Sequence, residues 1–169
     1  PAQLESAITP ATRAFLFSSP SNPTGSFYSQ EELKGLAEVF LKYPNVFIIS
    51  DEIYEHINFV GRHVSLAQFP DLYDRTVVVN GVSKAFAMTG WRIGYMAGPE
   101  WLTKACEKLQ GQFTSGANTI AQKATQAALS QSLKPTEMMC EAFKARRDLV
   151  VTELKTMPGL KCNVPEGAF

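Results

Sequence analysis

The sequence predicts an α/β protein of three layers, in which helices cover both faces of a mostly parallel sheet. Short apolar runs alternate with helical patterns, as strands and crossover helices do in parallel sheets. Two of these runs, "VFIIS" (46–50) and "TVVVN" (76–80), place apolar residues on both faces of the strand, which is typical of strands in the middle of a sheet. A chain of 169 residues is long enough for one such domain.

The first half of the chain supplies two strands with a helix between them. "AFLFSSP" (14–20) is a short apolar run that ends in the turn signal "SNPTGS". A helix is predicted over 29–43, because Ser29 and Glu32 form a capping box and Pro44 ends the pattern. The apolar face of this helix comprises Leu33, Leu36, Ala37 and Phe40. The strand "VFIIS" follows it.

The second half is predominantly helical. "RIGYMAG" (92–98) predicts a fourth strand after "TVVVN". Helices are then predicted over "PEWLTKACEKLQG", "NTIAQKATQAALS" and "EMMCEAFKARRDLVVTELKTM" (137–157), and Pro158 and Gly159 end the last of them. The remaining "LKCNVPEGAF" (160–169) predicts a strand that enters another unit.

Charge and cysteine content argue against several classes of function. Lys+Arg and Asp+Glu both number 16, so no nucleic-acid partner is predicted, since such surfaces need clustered basic charge. No apolar run reaches membrane-spanning length, and no membrane partner is predicted. The three cysteines form no CxxC pair, which favours a reducing, cytoplasmic compartment over a disulfide framework.

Polar residues gather where three of the predicted strands end. The segments are "SSPSNPTG", "SDEIYEH" and "NGVSK". In open α/β sheets, ligands bind outside the carboxyl ends of the strands. We therefore expect a ligand site there, although turn residues also gather at strand ends for structural reasons.

The segment "NGVSK" delivers Lys84 to this edge among small and apolar neighbours that extend from Gly81 to Met88. Such flanks would partly desolvate the amine and lower its pKa. A neutral lysine amine is a nucleophile that forms Schiff bases with carbonyl compounds. A solvated lysine after a turn is the alternative interpretation.

Further residues could contribute to the same site, and each has a structural alternative. Asp51 follows the buried strand directly, so its carboxylate should face the cleft, whereas Glu52 fits a solvated turn equally well. Tyr54 could bring its phenol to the cleft or simply pack as an aromatic. Asn22 could serve only its turn, and Arg92 could be a surface cation or a fork for phosphate or carboxylate.

Other catalytic templates fit less well. The chain contains neither GxGxxG nor GxxxxGK[ST], which leaves dinucleotide and Walker-type phosphate sites unsupported. "GVSKA" resembles a hydrolase nucleophile elbow around Ser83, but that arrangement needs a later histidine, and His56 and His63 both precede it. The two histidines lack metal-ligand spacing, so no metal site is predicted and surface or cleft-edge positions are expected for them.

Together, "SNPTG", "SDEIYEH" and "GVSKAFAMTGWRIGY" resemble the fold-type I aminotransferases that use pyridoxal 5′-phosphate (PLP), within the class I/II, aspartate aminotransferase-like branch. The resemblance extends over nearly the whole chain. It implies that residues 1–157 are the central part of a PLP-binding large domain and that residues 158–169 begin a C-terminal small domain. Both chain ends then look cut rather than finished.

The resemblance also implies roles for individual residues. Lys84 corresponds to the lysine that binds the cofactor aldehyde and later moves a proton between substrate and cofactor. Asp51 corresponds to the partner of the pyridinium nitrogen, which makes the ring a better electron sink. Asn22 and Tyr54 correspond to the donors to the ring O3′ oxygen.

Two further residues, Ser83 and Arg92, correspond to ligands of the cofactor phosphate. Arg92 lies eight residues after Lys84, as the family pattern requires. Gly81 stands where part of the family has a phosphate-binding serine. One hydroxyl contact of that branch is therefore missing here.

The implied activity is exchange of an amino group between an amino acid, aspartate or a similar donor, and a 2-oxo acid. Family members are homodimers. The aromatic residue that stacks on the ring and the arginine that binds the substrate carboxylate fall outside this chain, so the 169-residue piece is expected to be inactive by itself. The same motifs would serve a PLP-dependent lyase, such as a carbon–sulfur lyase or an aminocyclopropane-carboxylate synthase relative, or a non-enzymatic PLP-binding regulatory domain.

Overall fold

The computed structural model describes residues 1–168. In chain order its elements are α1 (Ala2–Ala7), β1 (Ala14–Ser18), α2 (Gln30–Leu41), β2 (Phe47–Asp51), α3 (Pro70–Tyr73), β3 (Thr76–Gly81), β4 (Gly94–Ala97), α4 (Glu100–Phe113), α5 (Thr119–Leu129) and α6 (Lys134–Thr156). Short 3₁₀ turns cover Leu66–Gln68 and Thr89–Trp91. The strands predicted between residues 14 and 98 and the four predicted helices are all present.

The four strands form one sheet in the order β1-β2-β3-β4. β1, β2 and β3 run parallel, with Leu16 opposite Ile49 and Ser50 opposite Val78. β4 pairs with β3 in the antiparallel direction, because the loop between them contains only a 3₁₀ turn and no crossover helix. The predicted α/β class with a mostly parallel sheet is confirmed.

One face of the sheet is covered by α2, which begins at the predicted capping box. Ser29 Oγ accepts a hydrogen bond from the Glu32 N–H at 3.3 Å, and Glu32 Oε2 accepts one from the Ser29 N–H at 2.8 Å. These bonds satisfy amide groups that a helix start leaves unpaired. The buried cluster on this face comprises Leu33, Leu36, Ala37, Phe40, Val46, Ile48, Leu66 and Leu72.

Helices α4, α5 and α6 supply the third layer on the opposite side of the sheet, where they cover it only in part: Leu16 of β1 is still 69% exposed. Phe47 precedes Ile48, which packs with the α2 cluster, so strand alternation places Phe47 on this second face. Its ring packs edge-on against Trp101 of α4, with ring centres 5.8 Å apart. In α5, Ala121 packs against Val82. The predicted three-layer arrangement is therefore present.

The third layer leaves a large apolar surface exposed, in contrast to the first. No residue of α4 is fully buried. The exposed side chains of α4 and the start of α5 include Trp101, Leu109, Phe113 and Ile120. Exposed apolar side chains that form a patch are typical of sites where other protein packs. No helix within residues 1–168 combines the length and the apolarity needed to cross a bilayer.

The strand predicted over 160–169 is wrong for residues 160–168, and Phe169 lies outside the described residues. In this segment a single isolated antiparallel bridge joins Gly167 to Asn58. The chain turns back here onto the loops that follow β1 and β2, with which it forms backbone hydrogen bonds. The assignment of 158–169 to a small domain stays a prediction.

Candidate functional site

The carboxyl ends of the three parallel strands meet at one edge of the sheet. Ser18, the last residue of β1, lies opposite Asp51, the last residue of β2. Asn22, Tyr54 and Lys84 lie in the turns that follow β1, β2 and β3. The parallel pairing thus brings three distant parts of the sequence to the edge where the ligand site is predicted.

Three of the predicted residues come into close contact. Asn22 Nδ2 donates a hydrogen bond to Tyr54 Oη at 3.0 Å. Lys84 Nζ lies 5.7 Å from the centre of the Tyr54 ring, which is within the range of a cation–π contact. Tyr54 is only 4% exposed. Its ring packs as an aromatic while its hydroxyl takes part in the polar cluster, so both interpretations of Tyr54 hold.

The loop after β3 holds Lys84 by burying the residues on either side of it. Val82 and Ala85 are both buried. Thr136 Oγ1, in the first turn of α6, donates to the Ala85 carbonyl oxygen at 2.7 Å. Lys84 itself is half-buried, so the fully solvated interpretation is excluded. The apolar flanks that the sequence analysis singled out are therefore anchors for the backbone that carries the amine.

Ser83, directly before Lys84, and Arg92, eight residues after it, are linked through Thr89. Thr89 Oγ1 donates to the Ser83 carbonyl oxygen at 3.5 Å, and Arg92 Nη1 donates to the Thr89 carbonyl oxygen at 2.9 Å. Arg92 is exposed and has a left-handed backbone, with φ 55° and ψ 47°. A hydroxyl and a guanidinium on one turn can together bind an anion such as a phosphate group.

Close strand approach explains the glycine at position 81. A Cβ on Gly81 would lie 2.8 Å from the Ile93 carbonyl oxygen and 3.1 Å from Gly94 Cα. Any larger residue would have to displace the backbone of β4, because the obstacles are main-chain atoms. The phosphate-binding serine of part of the family would not fit here without that displacement.

Asp51 lies at the predicted edge but makes its hydrogen bond locally. It is half-buried, and its Oδ1 accepts from the Ile53 N–H at 3.1 Å, within the turn that follows β2. Among the hydrogen bonds and ion pairs of residues 1–168, none joins its carboxylate to Asn22, Ser83 or Arg92. The structure thus places Asp51 near the cluster without connecting it directly to these three residues.

The neighbouring Glu52 is a buried anchor rather than part of a solvated turn. It is 5% exposed. Its carboxylate accepts hydrogen bonds from Ser50 Oγ at 2.8 Å and from Ser65 Oγ, and it pairs with His63 Nε2 at 2.9 Å. Burial acts to raise the pKa of Glu52, but the hydrogen bonds from His63, Ser65 and Ser50 outweigh it and hold that pKa below its ordinary value.

Strand alternation was the sequence signal for this anchor. The buried positions of β2 are Ile48 and Ser50, and the same alternation carried one step further reaches Glu52. The surface or cleft-edge position expected for His63 is wrong, because its side chain is only 12% exposed. His56 is half-buried and does lie at a cleft edge.

Two acidic residues and a histidine, Glu52, Glu55 and His63, place ligand-type atoms within 4.8 Å of one another. Each is already engaged in the protein. Glu55 Oε1 accepts from Asn80 Nδ2 at 2.7 Å, and Glu52 pairs with His63 as described. We therefore interpret the cluster as hydrogen-bonded support for the loop after β2 and assign no metal to it.

The site therefore combines an α/β sheet with a half-buried lysine beside a phenol–amide pair at its carboxyl edge, the edge at which open α/β sheets bind ligands. The sequence model described as aminotransferase class I and II matches residues 1–169. The chain belongs to this family.

Similar proteins and structures agree with this membership. An aspartate/prephenate aminotransferase of Cereibacter sphaeroides is 52% identical over 171 residues, which cover 100% of this chain and 43% of the relative. An aspartate aminotransferase of Geobacillus stearothermophilus is 49% identical over 171 residues, with the same coverage. The crystal structure of the aspartate aminotransferase from Rhizobium meliloti superposes with a TM-score of 0.97 at 49% identity, over 99% of this chain and 42% of that one.

This chain spans about two fifths of the length of the curated relatives it matches. Membership of the aminotransferase family implies PLP as the cofactor. The side chains found here fit that group chemically: an amine for an aldehyde, a carboxylate for a ring nitrogen, and a hydroxyl and a guanidinium for a phosphate. The hydrogen-bonded Asn22–Tyr54 pair, beside the amine, supplies donors for a ring oxygen.

Proposed function

We propose that this chain carries the PLP-binding segment of an aminotransferase that exchanges an amino group between an amino acid and a 2-oxo acid. The observation that supports this most strongly is the position of Lys84 Nζ, 5.7 Å from the ring of Tyr54, whose hydroxyl accepts from Asn22. The chain belongs to the class I and II family, and a lysine amine at the ligand-binding edge of an α/β sheet can react with an aldehyde.

Each residue has a defined task in this proposal. PLP, when bound, supplies a conjugated ring that withdraws electrons from the substrate. Lys84 would bind the aldehyde group of the cofactor, and its amine would accept and return a proton. Asp51 would hold the ring nitrogen in its protonated form through its carboxylate.

The remaining side chains orient the group. Asn22 and Tyr54 would donate hydrogen bonds to the ring oxygen and so stabilise its negative charge. Ser83 and Arg92 would bind the phosphate, and Thr89 links them by donating to the Ser83 carbonyl oxygen and accepting from the Arg92 guanidinium. A charged guanidinium makes shorter and stronger hydrogen bonds to phosphate than a neutral donor does. Gly81 carries no hydroxyl and so contributes no side chain to the phosphate.

We further propose aspartate or a similar acidic amino acid as the donor. The support is that close relatives are named aspartate or aspartate/prephenate aminotransferases. A homodimeric assembly and a cytoplasmic location accompany this proposal as expectations for the whole protein. The 169-residue chain by itself is expected to show no transamination, since it spans under half of those relatives.

The experiment that tests the proposal is a PLP titration of this chain beside Lys84→Ala. Visible absorbance of a lysine-bound cofactor should appear in the parent only, and borohydride reduction followed by peptide mass spectrometry should locate the cofactor on Lys84. Asp51→Asn and Arg92→Gln should weaken binding without moving the attachment point. Attachment at another lysine, or equal absorbance in Lys84→Ala, would overturn the assignment.

The products formed by the whole protein distinguish an aminotransferase from a lyase. Conversion of the cofactor to its amine form with release of a 2-oxo acid supports an aminotransferase. Release of pyruvate and ammonia would instead identify a lyase that uses the same residues. Ser83→Ala should only weaken cofactor binding, whereas it would abolish activity if Ser83 were a hydrolase nucleophile.

A further inference from the structure

We propose that the segment 163–168, termed here the terminal strap, is a positioning element that holds the Asn22–Tyr54 pair in place. The relevance of this pair to the cofactor rests on the proposed function, but the positioning itself does not. Asn22 and Tyr54 lie in two separate loops joined by a side-chain hydrogen bond. The terminal strap forms backbone hydrogen bonds with both of these loops.

The first contact is with the turn that carries Asn22. The Gly25 carbonyl oxygen accepts from the Glu166 N–H at 2.7 Å and from the Gly167 N–H at 3.1 Å. Glu166 Oε2 also accepts from the Phe27 N–H at 3.3 Å. Asn22 itself is exposed, so burial does not hold it in place. The bonds to Gly25 and Phe27, three and five residues further on, restrain the turn that carries it.

The second contact is with the loop that carries Tyr54. The Phe59 N–H donates to the Glu166 carbonyl oxygen, and the Ala168 N–H donates to the Ile57 carbonyl oxygen, both at 2.8 Å. Ala168 is 1% exposed and packs in the same apolar cluster as Tyr54 and Ile57. The terminal strap therefore lies between the two loops and sets their separation.

Two glycines, Gly25 and Gly167, allow the terminal strap to pack so closely against its loops that an added methyl group would disturb the contact. A Cβ on Gly25 would lie 2.4 Å from Pro165 Cβ, and a Cβ on Gly167 would lie 2.6 Å from Pro20 Cβ and 2.9 Å from the Ile57 carbonyl oxygen. Gly25 also has a φ of +68°, a conformation that side chains other than glycine rarely adopt. A methyl group at either position must push the terminal strap away from its loops.

Arg147 of α6 attaches the terminal strap from its other side. Its Nη1 donates to the Pro165 carbonyl oxygen at 2.7 Å, and its guanidinium lies 4.9 Å from the centre of the Phe59 ring. One side chain thus contacts the strap and the Tyr54 loop at once. Arg147 is a positioning residue in this proposal, because it acts on the Asn22–Tyr54 pair through the strap and Phe59.

A double-mutant cycle without cofactor tests the positioning. Asn22→Ala, Gly167→Ala and the double variant are compared by urea unfolding, with Gly61→Ala as the matched control, since a Cβ on Gly61 meets nothing within 4 Å. If the terminal strap holds the pair, Gly167→Ala already weakens the Asn22–Tyr54 bond, so Asn22→Ala has less left to remove. The change in the unfolding equilibrium constant caused by Asn22→Ala should then be about fivefold smaller in Gly167→Ala than in the parent. Equal effects in both backgrounds would overturn the proposal, and Gly61→Ala should be additive.

Arg147→Met keeps the test decisive if Gly167→Ala does not fold. The same cycle with Asn22→Ala should again show coupling, and Arg147→Lys, which keeps the charge but loses the planar fork, should restore only part of it. Additivity of Arg147→Met with Asn22→Ala would also contradict the positioning role.

The cofactor-loaded protein provides a spectroscopic readout. In Arg147→Met the donors to the ring oxygen should be held less firmly. The midpoint pH of the visible-absorbance titration should then rise, corresponding to a roughly threefold higher proton affinity. Gly61→Ala should not change this midpoint. If the parent binds no PLP while the cycle still shows coupling, the proposed function fails and the positioning stands. If PLP binds and neither the cycle nor the midpoint responds, the positioning fails and the function stands.

Discussion

The two faces of the sheet differ in how completely this chain covers them. On the α2 face, Leu33, Phe40 and Ile48 are all 0% exposed. On the α4 face, Phe113 is 82% exposed and Ile120 is 71% exposed. Apolar side chains stabilise a fold only where a second surface removes them from water. The α2 face can therefore act as a folding core by itself, whereas the α4 face presents apolar side chains that residues 1–168 leave exposed.

The largest difference is expected from removing one aromatic ring on each face. Phe40→Ala should lower the free energy of unfolding by about 3–5 kcal/mol, because it leaves a cavity where the ring packs 5.1 Å from that of Phe15. Phe113→Ala should change it by less than about 0.5 kcal/mol. Urea unfolding of both variants measures this, and similar losses would show that the α4 face is packed in solution.

The next effect concerns the buried carboxylate on the covered side. Glu52→Gln should cost about 1–3 kcal/mol at neutral pH, because a side-chain amide cannot accept from three donors as a carboxylate does. Glu38→Gln, at an exposed position of α2, is the matched control and should have little effect.

The pH dependence of Glu52 follows from the direction of its pKa shift. Its pKa is lower in the folded state, so its stabilisation is present above the unfolded-state pKa and is lost as the pH falls through the folded-state value. Stability of the parent should therefore decline from the ordinary glutamate range downward, and the decline should be shallower in Glu52→Gln. An identical slope in the two proteins would remove Glu52 as the cause.

A smaller effect is expected from the helix caps, one on each face. Ser29→Ala removes the capping box of α2 and should cost about 1 kcal/mol. Asn118→Ala removes the bond from the Ala121 N–H at the start of α5 and should cost less, because a helix with few buried residues can fray locally. A greater cost for Asn118→Ala would show that α5 is the more cooperative helix.

The smallest change in unfolding free energy is expected from a substitution on α4 that instead reduces self-association of the chain. Phe113→Ser should leave the unfolding free energy nearly unchanged but reduce self-association, because it interrupts the exposed apolar surface of α4. Sedimentation velocity at several concentrations measures this. Tyr73→Ser, at an exposed position of α3, is the control and should leave association as in the parent.

Local signals predicted most of the fold. The capping box at Ser29 and the apolar strands up to β3 depend on neighbours in sequence, and the structure has them as expected. The convergence of Asn22, Tyr54 and Lys84 was predictable because parallel strands bring their carboxyl ends together. The resemblance to a family supplied the chemistry that spacing alone left open.

What the sequence did not predict depends on contacts between distant residues. Strand alternation indicates that Glu52 points inward, but its donors His63 and Ser65 come from a later loop, and no local pattern shows that they reach it. The segment 160–168 was predicted as a strand, but its hydrogen-bond partners are loops rather than a sheet edge. The antiparallel β4 likewise depends on pairing, which propensity does not determine.

The left-handed backbone of Arg92 sets the conformational preference of this position against the anion binding proposed for its side chain. With φ 55°, the residue occupies a region that costs an ordinary side chain about 1 kcal/mol or more, and that asparagine and glycine tolerate better. If Arg92 binds an anion as proposed, its guanidinium does so at the expense of a less strained turn. Replacement by asparagine would measure that compromise directly, as a gain in folding stability set against a loss of anion affinity.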